Sequence, residues 1–385
     1  MKIAVMSGIG KPTITNSAGG LEVWTAQFVL ETAKRGHEID LYAVNGSLHN
    51  DNIHLFEISP SLPDLMKHIS MLENNAKMKE EIAASLFTKA MMMIKDKEAI
   101  YDLIIDSCSF PSFTLNTGYF KKPTLVIGHF PVNFAFWYTL PPFSIPENTT
   151  FILPSTFQKE KAIGIPEVKK HVIPHGIDLS KYSFDESGSD QIIWLSRIHK
   201  VVNKGIADAI KTATLLEKKL RIFAYLEESS REYYQKEIKP LMNSYVSIEF
   251  AEENTTTDKN AVFGESKLFL FPIHWEEPFG LVMIESMATG TPVVTYARGS
   301  VPEIIKDGET GFIVNPSDED IRGNWITKKT GVEGLCEAVK HIYSLSPEKY
   351  TEMRKACRLH VVKYFSVEQM VDQYIELYKK ILHLQ

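Results

Sequence analysis

The sequence predicts an α/β protein of two doubly wound parallel-sheet domains facing one cleft, with the last helix crossing back to the first domain. Three observations carry that expectation. At 385 residues the chain is long for one hydrophobic core, so length favours two domains. Short apolar runs alternate with helical stretches, the pattern of a parallel sheet covered by helices. The turn-rich stretch HVIPHGIDLSKYSFDESGSD (171–190) interrupts this alternation, which then restarts.

The elements follow in order. KIAVM (2–6) is apolar with little alternation, like a strand buried on both faces. A loop rich in Gly, Pro, Thr and Asn (7–20) leads into LEVWTAQFVLETAKRGHEIDLYAV, a helix, a stop at Gly36 and a second strand. Such a unit is expected to be right-handed. Residues 77–97 read as a long helix with exposed lysines, and YDLIIDS, PTLVIGHF and TFILPS as strands. FPVNFAFWYTLPPF (130–143) is aromatic and proline-broken, hence a loop. After the turn-rich stretch come QIIWLSRI, a helix near 206–219, LRIFAYL, a helix near 230–243, VSIEFA and a helix near 259–266. LFLFPI, a helix opening at Gly280, TPVVTY and GFIVN complete the alternation. The amphipathic segment 367–384 follows a break at Phe365-Ser366 and is expected to pack on the first domain. The domains are therefore 1–178 with 366–385, and 179–365.

Composition narrows the function. The chain is 44% hydrophobic and 23% charged, ordinary for a globular protein. A net charge of −6 argues against nucleic acid as partner. Cys108, Cys336 and Cys357 lie far apart, without zinc or disulfide spacing. The opening MKIAVMSG is too soon interrupted for a signal peptide, and no run approaches the roughly 20 apolar residues of a membrane span. A cytoplasmic protein is expected; the lysines of 77–97 leave room for weak peripheral membrane contact, against the plainer reading of a solvated face.

Two glycine motifs fail. SGIGKPT has Val5 where a phosphate loop needs its first Gly and Pro12 after Lys11; Thr13 stands where a dinucleotide fingerprint needs its third Gly. Gly19 and Gly20 still precede a helix, where backbone N–H groups can approach an anion.

The block HWEEPFGLVMIESMATGTPVVTY (274–296) carries more. Pro278 cannot sit inside a helix, so the helix starts near Phe279 or Gly280. The N–H groups around Gly280 and Leu281 then form a ready phosphate site. Glu277 lies just outside the helix mouth and Glu285 about one turn inside, each placed to accept from a diol. An acid near a helix start is also stabilising without any ligand. WLSRIHKVVNKG adds Arg197 and Lys204 between strand and helix, two cations able to neutralise a leaving diphosphate or simply a solvated loop. His129 ends the strand TLVIGH, where it would be a hydrogen-bond donor to a sugar or a satisfied polar residue.

With these residues in view, the chain resembles retaining glycosyltransferases of family 4, which have the GT-B architecture of two Rossmann-like domains. The likeness runs through AGGLEVWTAQFVLETAKRGHEIDLY, HVIPHGID, LSRI…NKG, the glutamate block to GETGFIV, and the closing FSVEQMVDQYIELYKKIL. It implies that Arg197 and Lys204 bind the donor diphosphate, and that Phe279, Gly280 and Leu281 form the donor-binding turn, Gly280 and Leu281 through N–H groups. Glu277 would contact the donor sugar, Glu285 would hold the ribose diol, His129 would sit near the 6-position of the transferred sugar, and Gly19 and Gly20 would line the cleft opposite the phosphates. Ser196 and the Arg298–Ser300 triplet depart from the common pattern only locally. The doublet Glu276-Glu277 is settled for Glu277 by its seven-residue separation from Glu285.

The implied reaction transfers a hexose from a UDP- or GDP-sugar to a hydroxyl, with retention, in glycan, polysaccharide or glycoconjugate synthesis. No Asp-x-Asp pair lies at a strand end, so neither metal nor other cofactor is expected. A non-catalytic nucleotide-sugar-binding protein and a GT-B epimerase or phosphorylase are the alternatives. The acceptor, a sugar or small molecule, is unread; Phe134, Phe136, Trp137 and Tyr138 are candidates to stack on it or to pack beneath the loop. The oligomeric state is unread too.

Overall fold

A computed structural model describes residues 1–17, 19–62, 64–65, 76–108, 110–130, 145–251 and 258–384. The chain forms two compact units, 1–175 with 367–385, and 176–366.

The first unit carries seven parallel strands in the order β3-β2-β1-β4-β5-β6-β7. They are β1 (Lys2–Met6), β2 (Glu38–Ala43), β3 (Ile53–Glu57), β4 (Leu103–Asp106), β5 (Thr124–Ile127), β6 (Thr149–Leu153) and β7 (Lys170–Val172). The central strands β4 and β5 are fully buried, which explains their unbroken apolar sequence. β3 and β7 are partly exposed edge strands, and neither has an apolar run for a sequence reading to find. β7 also takes up the start of the segment expected to be a linker. Helices α1 (Gly20–Lys34), α2 (Ala76–Asp96) and α3 (Thr156–Lys161) connect these strands. Phe87, Ala90 and Ile94 of α2 pack with Ala4, Met6, Tyr42 and Ile104 in one core.

The second unit has six parallel strands in the order β10-β9-β8-β11-β12-β13. They are β8 (Ile192–Ile198), β9 (Leu220–Leu226), β10 (Val246–Phe250), β11 (Leu268–Phe271), β12 (Val293–Tyr296) and β13 (Gly311–Val314). Its helices include α4 (Ile206–Leu215), α5 (Lys259–Gly264), α6 (Leu281–Ala288), α7 (Gly331–Tyr343) and α8 (Pro347–Tyr364). Alternate strand residues feed two cores: Ile192, Trp194, Leu270 and Val294 pack with α4 and α7, whereas Ile193, Phe269, Phe271 and Val293 pack with α6 and α8. Helices therefore cover both faces, as a parallel sheet requires. The helix expected near 230–243 is present over 231–241 but changes type along its length, from an α turn (Arg231–Tyr233) through a π turn (Tyr234–Ile238) to the 3-10 turn Lys239–Leu241. Pro240 has no N–H and its ring collides one turn back, so an α-helix cannot run through it.

The last helix, α9 (Val367–Ile381), belongs to the first unit. Its Tyr374 meets Phe28 of α1 edge-on, with centroids 5.0 Å apart.

Candidate functional site

In the second unit three of the residues singled out by sequence, Lys204, Glu277 and Gly280, meet at the amino end of α6. Gly280 caps that helix in the left-handed region, at φ 87°, which only glycine adopts without strain. A Cβ there would overlap the Met283 side chain and stand 3.1 Å from Glu277 Cγ. The first N–H groups of α6 have no acceptor within the helix and carry its positive partial charge. Lys204 Nζ donates to Glu277 Oε2 at 2.5 Å, with side chains only 17% and 13% exposed. The Lys204 backbone is fixed from beneath, because the buried Trp194 donates its Nε1–H to the Lys204 carbonyl at 3.1 Å. A cation, an acid and a helix start are thus brought together from sequence positions 73 residues apart in the case of the ion pair.

The structure also separates the roles of the two adjacent glutamates. Glu276 is locked: Arg298 and Arg322 reach its Oε1 at 3.1 and 2.7 Å, and the Gly299 N–H donates to its Oε2 at 2.7 Å. Asp320 bridges both guanidiniums, at 2.9 and 2.8 Å. The Arg322 hydrogen bond, first of several contacts, holds the Asp320 carboxyl below its ordinary range. The turn 298–300 then grips the next residues. Ser300 N–H donates to the Glu277 carbonyl at 2.9 Å, and Ser300 Oγ donates to the Phe279 carbonyl at 2.8 Å. Gly299 has φ 55°, and a Cβ on it would overlap the Glu277 backbone. Glu276 is the anchor, and Glu277 is the acid turned to Lys204.

Other expected residues stand differently. Arg197 is mostly exposed and ion-paired with Glu227 at 3.2 Å, so its charge is directed to the end of β9 and not to Glu277. Phe279 is buried and packs edge-on against Phe365, so its side chain belongs to the core. Glu285 is buried, and Lys259 Nζ lies 2.8 Å from both its carboxylate oxygens. Burial raises the Tyr182 hydroxyl pKa, and the charge of Glu285 and a hydrogen bond to it raise it further. Glu285 is therefore already engaged, because a buried carboxylate needs compensating partners. Lys259 and Tyr182 belong to this site although no sequence signal marks them.

His274, quoted within the glutamate block but given no role by sequence, pairs through Nε2 with Asp208 Oδ2 at 2.8 Å. Tyr296 donates to the same oxygen at 3.0 Å. Burial would raise the Asp208 pKa, yet the His274 and Tyr296 hydrogen bonds bring it below the usual value. The His274 N–H donates to the Asn203 carbonyl at 3.0 Å, tying this pair to the loop that carries Lys204.

In the first unit, Gly19 is the residue before α1 and Gly20 its first residue. The space beside Gly19 is taken by the Glu22 carboxylate, which a Cβ on Gly19 would overlap and one on Gly8 would approach to 3.1 Å. An acid in the first turn answers the helix dipole, so the chain supplies its own anion there. His129 follows β5, and its Nε2 lies 3.1 Å from Ser107 Oγ. Trp24 stands edge-on to it at 4.6 Å, and the His175 ring lies 5.1 Å away. Burial drives the His129 pKa down to about 3, and burial followed by His129 lowers that of His175. Both are neutral near pH 7. Phe134, Phe136, Trp137 and Tyr138 lie outside the described residues.

Among the described residues one group could gather metal ligands, Glu38, Asp40 and His54 at the starts of β2 and β3. The Lys2 ammonium sits within it, bonded to Glu38 and 3.4 Å from Asp40, so the group fits a lysine counter-ion. No described helix is long and apolar enough to cross a membrane.

Residues 181–323 match the family model described as glycosyl transferases group 1. A Klebsiella pneumoniae protein, an uncharacterized 41.2 kDa product of a cps region, is 32% identical over 31% of this chain and 28% of its own. The alpha-maltose-1-phosphate synthase of Mycolicibacterium smegmatis is 24% identical over 55% of this chain and 57% of its own. The chain thus spans less than two thirds of the length of either relative. Among solved structures, sucrose-phosphate synthase from Thermosynechococcus elongatus superposes with a TM-score of 0.74 at 18% identity, covering 99% of both chains. A Rickettsia africae glycosyltransferase gives 0.70 at 20% identity, covering 99% and 98%. Anabaena HepE in complex with UDP and glucose gives 0.68 at 15%, covering 99% and 100%. These likenesses establish the fold as GT-B, and together with the family match they support a glycosyltransferase.

Proposed function

We propose that this GT-B chain is a retaining glycosyltransferase of family 4, moving a hexose from a UDP- or GDP-sugar to a hydroxyl acceptor in glycan, polysaccharide or glycoconjugate synthesis. One observation carries the proposal: Lys204 Nζ, Glu277 and the amino end of α6 converge, with Lys204 on Glu277 at 2.5 Å. The neighbour HepE, solved with UDP and with UDP-glucose, supports a nucleotide-sugar donor.

The chemistry follows from charge. As the bond from the anomeric carbon to the donor phosphate breaks, negative charge grows on the leaving diphosphate. Lys204 and the first N–H groups of α6, Gly280 and Leu281 among them, are fixed in advance to receive it, so little reorganisation is needed at the moment of reaction. Donor arrival gives Lys204 a phosphate oxygen in place of Glu277, which frees the acid for the sugar hydroxyls. Arg197 is proposed as a second cation, leaving Glu227 for the diphosphate. Glu285 is proposed to hold the ribose diol while Lys259 balances its charge. His129 is proposed to donate to the transferred sugar. The leaving phosphate takes the acceptor proton on the face it departs from, which preserves the anomeric configuration. In this scheme the protein's own cations serve the diphosphate, so neither metal nor other cofactor is proposed, and the proposed location is the cytoplasm.

The test is a panel of nucleotide sugars, with nucleoside diphosphate release followed with and without sugar acceptors. One donor should be turned over, and Lys204→Ala should slow that turnover by about two to three orders of magnitude. Tight donor binding without diphosphate release from any donor would convert the assignment to a non-catalytic binding protein.

A further inference from the structure

The first unit contains a hydrogen-bond chain that no sequence motif announces. Ser107 follows β4 directly and is fully buried. Its Oγ lies 3.1 Å from His129 Nε2 on one side and 2.7 Å from Thr25 Oγ1 on the other. Thr25 lies in α1 and is also fully buried. Three elements of the fold fix the chain. The Ser107 N–H donates to the Met6 carbonyl at 2.9 Å, the Gly128 N–H to the Ile152 carbonyl at 2.8 Å, and Trp24, beside Thr25, lies edge-on to the His129 ring at 4.6 Å.

Two directions of donation are available to such a chain, and counting hydrogens chooses between them. A hydroxyl has one hydrogen to give, and a buried one must place it. Suppose His129 Nε2–H donated to Ser107 and Ser107 to Thr25. Thr25 would then need a further acceptor for its own hydrogen, the usual choice in a helix being the carbonyl one turn back. Thr32 in the same helix does this, donating to the Phe28 carbonyl at 2.7 Å. Thr25 Oγ1 has Ser107 Oγ as its partner among the described residues. In the opposite direction both hydroxyl hydrogens are placed: Thr25 donates to Ser107, Ser107 donates to Nε2, and the neutral ring carries its proton on Nδ1. The hydrogen bond made by one ring nitrogen sets the state of the other.

We infer that Thr25 and Ser107 form a relay that holds His129 as its Nδ1-protonated tautomer, making both hydroxyls positioning residues for the donor that His129 offers. Burial around the ring keeps it neutral near pH 7, so a tautomer and not an imidazolium is what the relay selects. The consequence for turnover rests on the transferase reading above; the tautomer itself does not.

The experiment uses the full chain labelled with 15N-histidine and two-bond 15N–1H correlation at pH 7. The His129 signals are identified by their loss in His129→Gln. The expected spectrum has a protonated, pyrrole-type Nδ1 and an unprotonated, pyridine-type Nε2. Thr25→Ser keeps the hydroxyl and should keep that spectrum. Thr25→Val and Ser107→Ala should move the His129 nitrogens toward a tautomer average. If the donor panel yields a turnover, these two variants should lower kcat between about tenfold and a hundredfold with KM changed less than about threefold, and Thr25→Ser should recover it. An Nε2-protonated ring in the native chain, or a spectrum unmoved by Thr25→Val and Ser107→Ala together, would overturn the relay. The predicted spectrum with no turnover of any donor would uphold the relay and sink the transferase reading.

Discussion

Replacing Lys204 by Met separates what the ion pair does for stability from what it does for chemistry. The side chains of Lys204 and Glu277 are 17% and 13% exposed. Removing one partner of a fully buried pair costs about 3–5 kcal/mol, because the other charge is left uncompensated. Water still reaches this pair and the α6 amides lie beside Glu277, so the expected cost falls to about 1–2 kcal/mol. For a unit the size of 176–366, this corresponds to a Tm lowered by about 3–6 °C. Turnover should fall by about two to three orders of magnitude, the scale of losing one charge-stabilising donor. The double variant Lys204→Met with Glu277→Gln removes the stranded carboxylate, and its Tm should return to within about 2 °C of the native value. Its turnover should not return. Thermal unfolding by differential scanning calorimetry and diphosphate release on the same samples give both quantities. A single variant within about threefold of native turnover, or a double variant that regains activity, would refute the reasoning.

The turn that grips Glu277 gives a second expectation: Gly299→Ala combines a left-handed φ of 55° with overlap on the Glu277 backbone. It should cost about 2–3 kcal/mol in calorimetry and reduce turnover in parallel. Glu276→Gln weakens the bonds to Arg298, Arg322 and Gly299, and should lower Tm with turnover falling only in step, while Glu277→Gln, which strands Lys204 as Lys204→Met strands Glu277, should cut turnover far beyond its Tm loss; an equal loss of turnover in both variants would deny the two acids their separate roles. Desolvation of the half-buried His129 sets a pH dependence. A His129 pKa of about 3 when folded, against about 6.5 unfolded, means that the unfolded chain takes the proton first on acidification. This stabilisation is complete above pH 6.5 and is lost as pH falls towards 3, the loss amounting to about 2.7 kcal/mol by pH 4.5. Urea unfolding at pH 7.5 and 4.5 should therefore show a smaller acid loss in His129→Gln than in the native chain, and parallel losses would contradict it.

The fold was legible because its signals are local. Apolar runs such as IIWL and LFLF must be strands buried on both faces, and Pro278-Phe279-Gly280 can only open a helix. The edge strands β3 and β7 escaped because exposure removes the apolar run. The site was legible where its residues share one segment, as Glu277, Gly280 and Glu285 do. It was illegible where partners converge from afar. Lys259 reaches Glu285, Arg322 reaches Glu276 and Thr25 reaches Ser107 across 82 residues, and none of these side chains has a spacing that announces its partner. Arg197 shows the converse: sequence placed it correctly at a strand end, but Glu227, brought alongside by β9, decides where its charge points.

The central claim is that Lys204 and the start of α6 receive a leaving diphosphate. A crystal structure of the chain with UDP or GDP, whichever binds more tightly by calorimetry, tests it most directly. The account predicts the β-phosphate within hydrogen-bond distance of Lys204 Nζ and of the Gly280 or Leu281 N–H, with Lys204 drawn away from Glu277. A diphosphate bound elsewhere, with the Lys204–Glu277 pair intact, would contradict it.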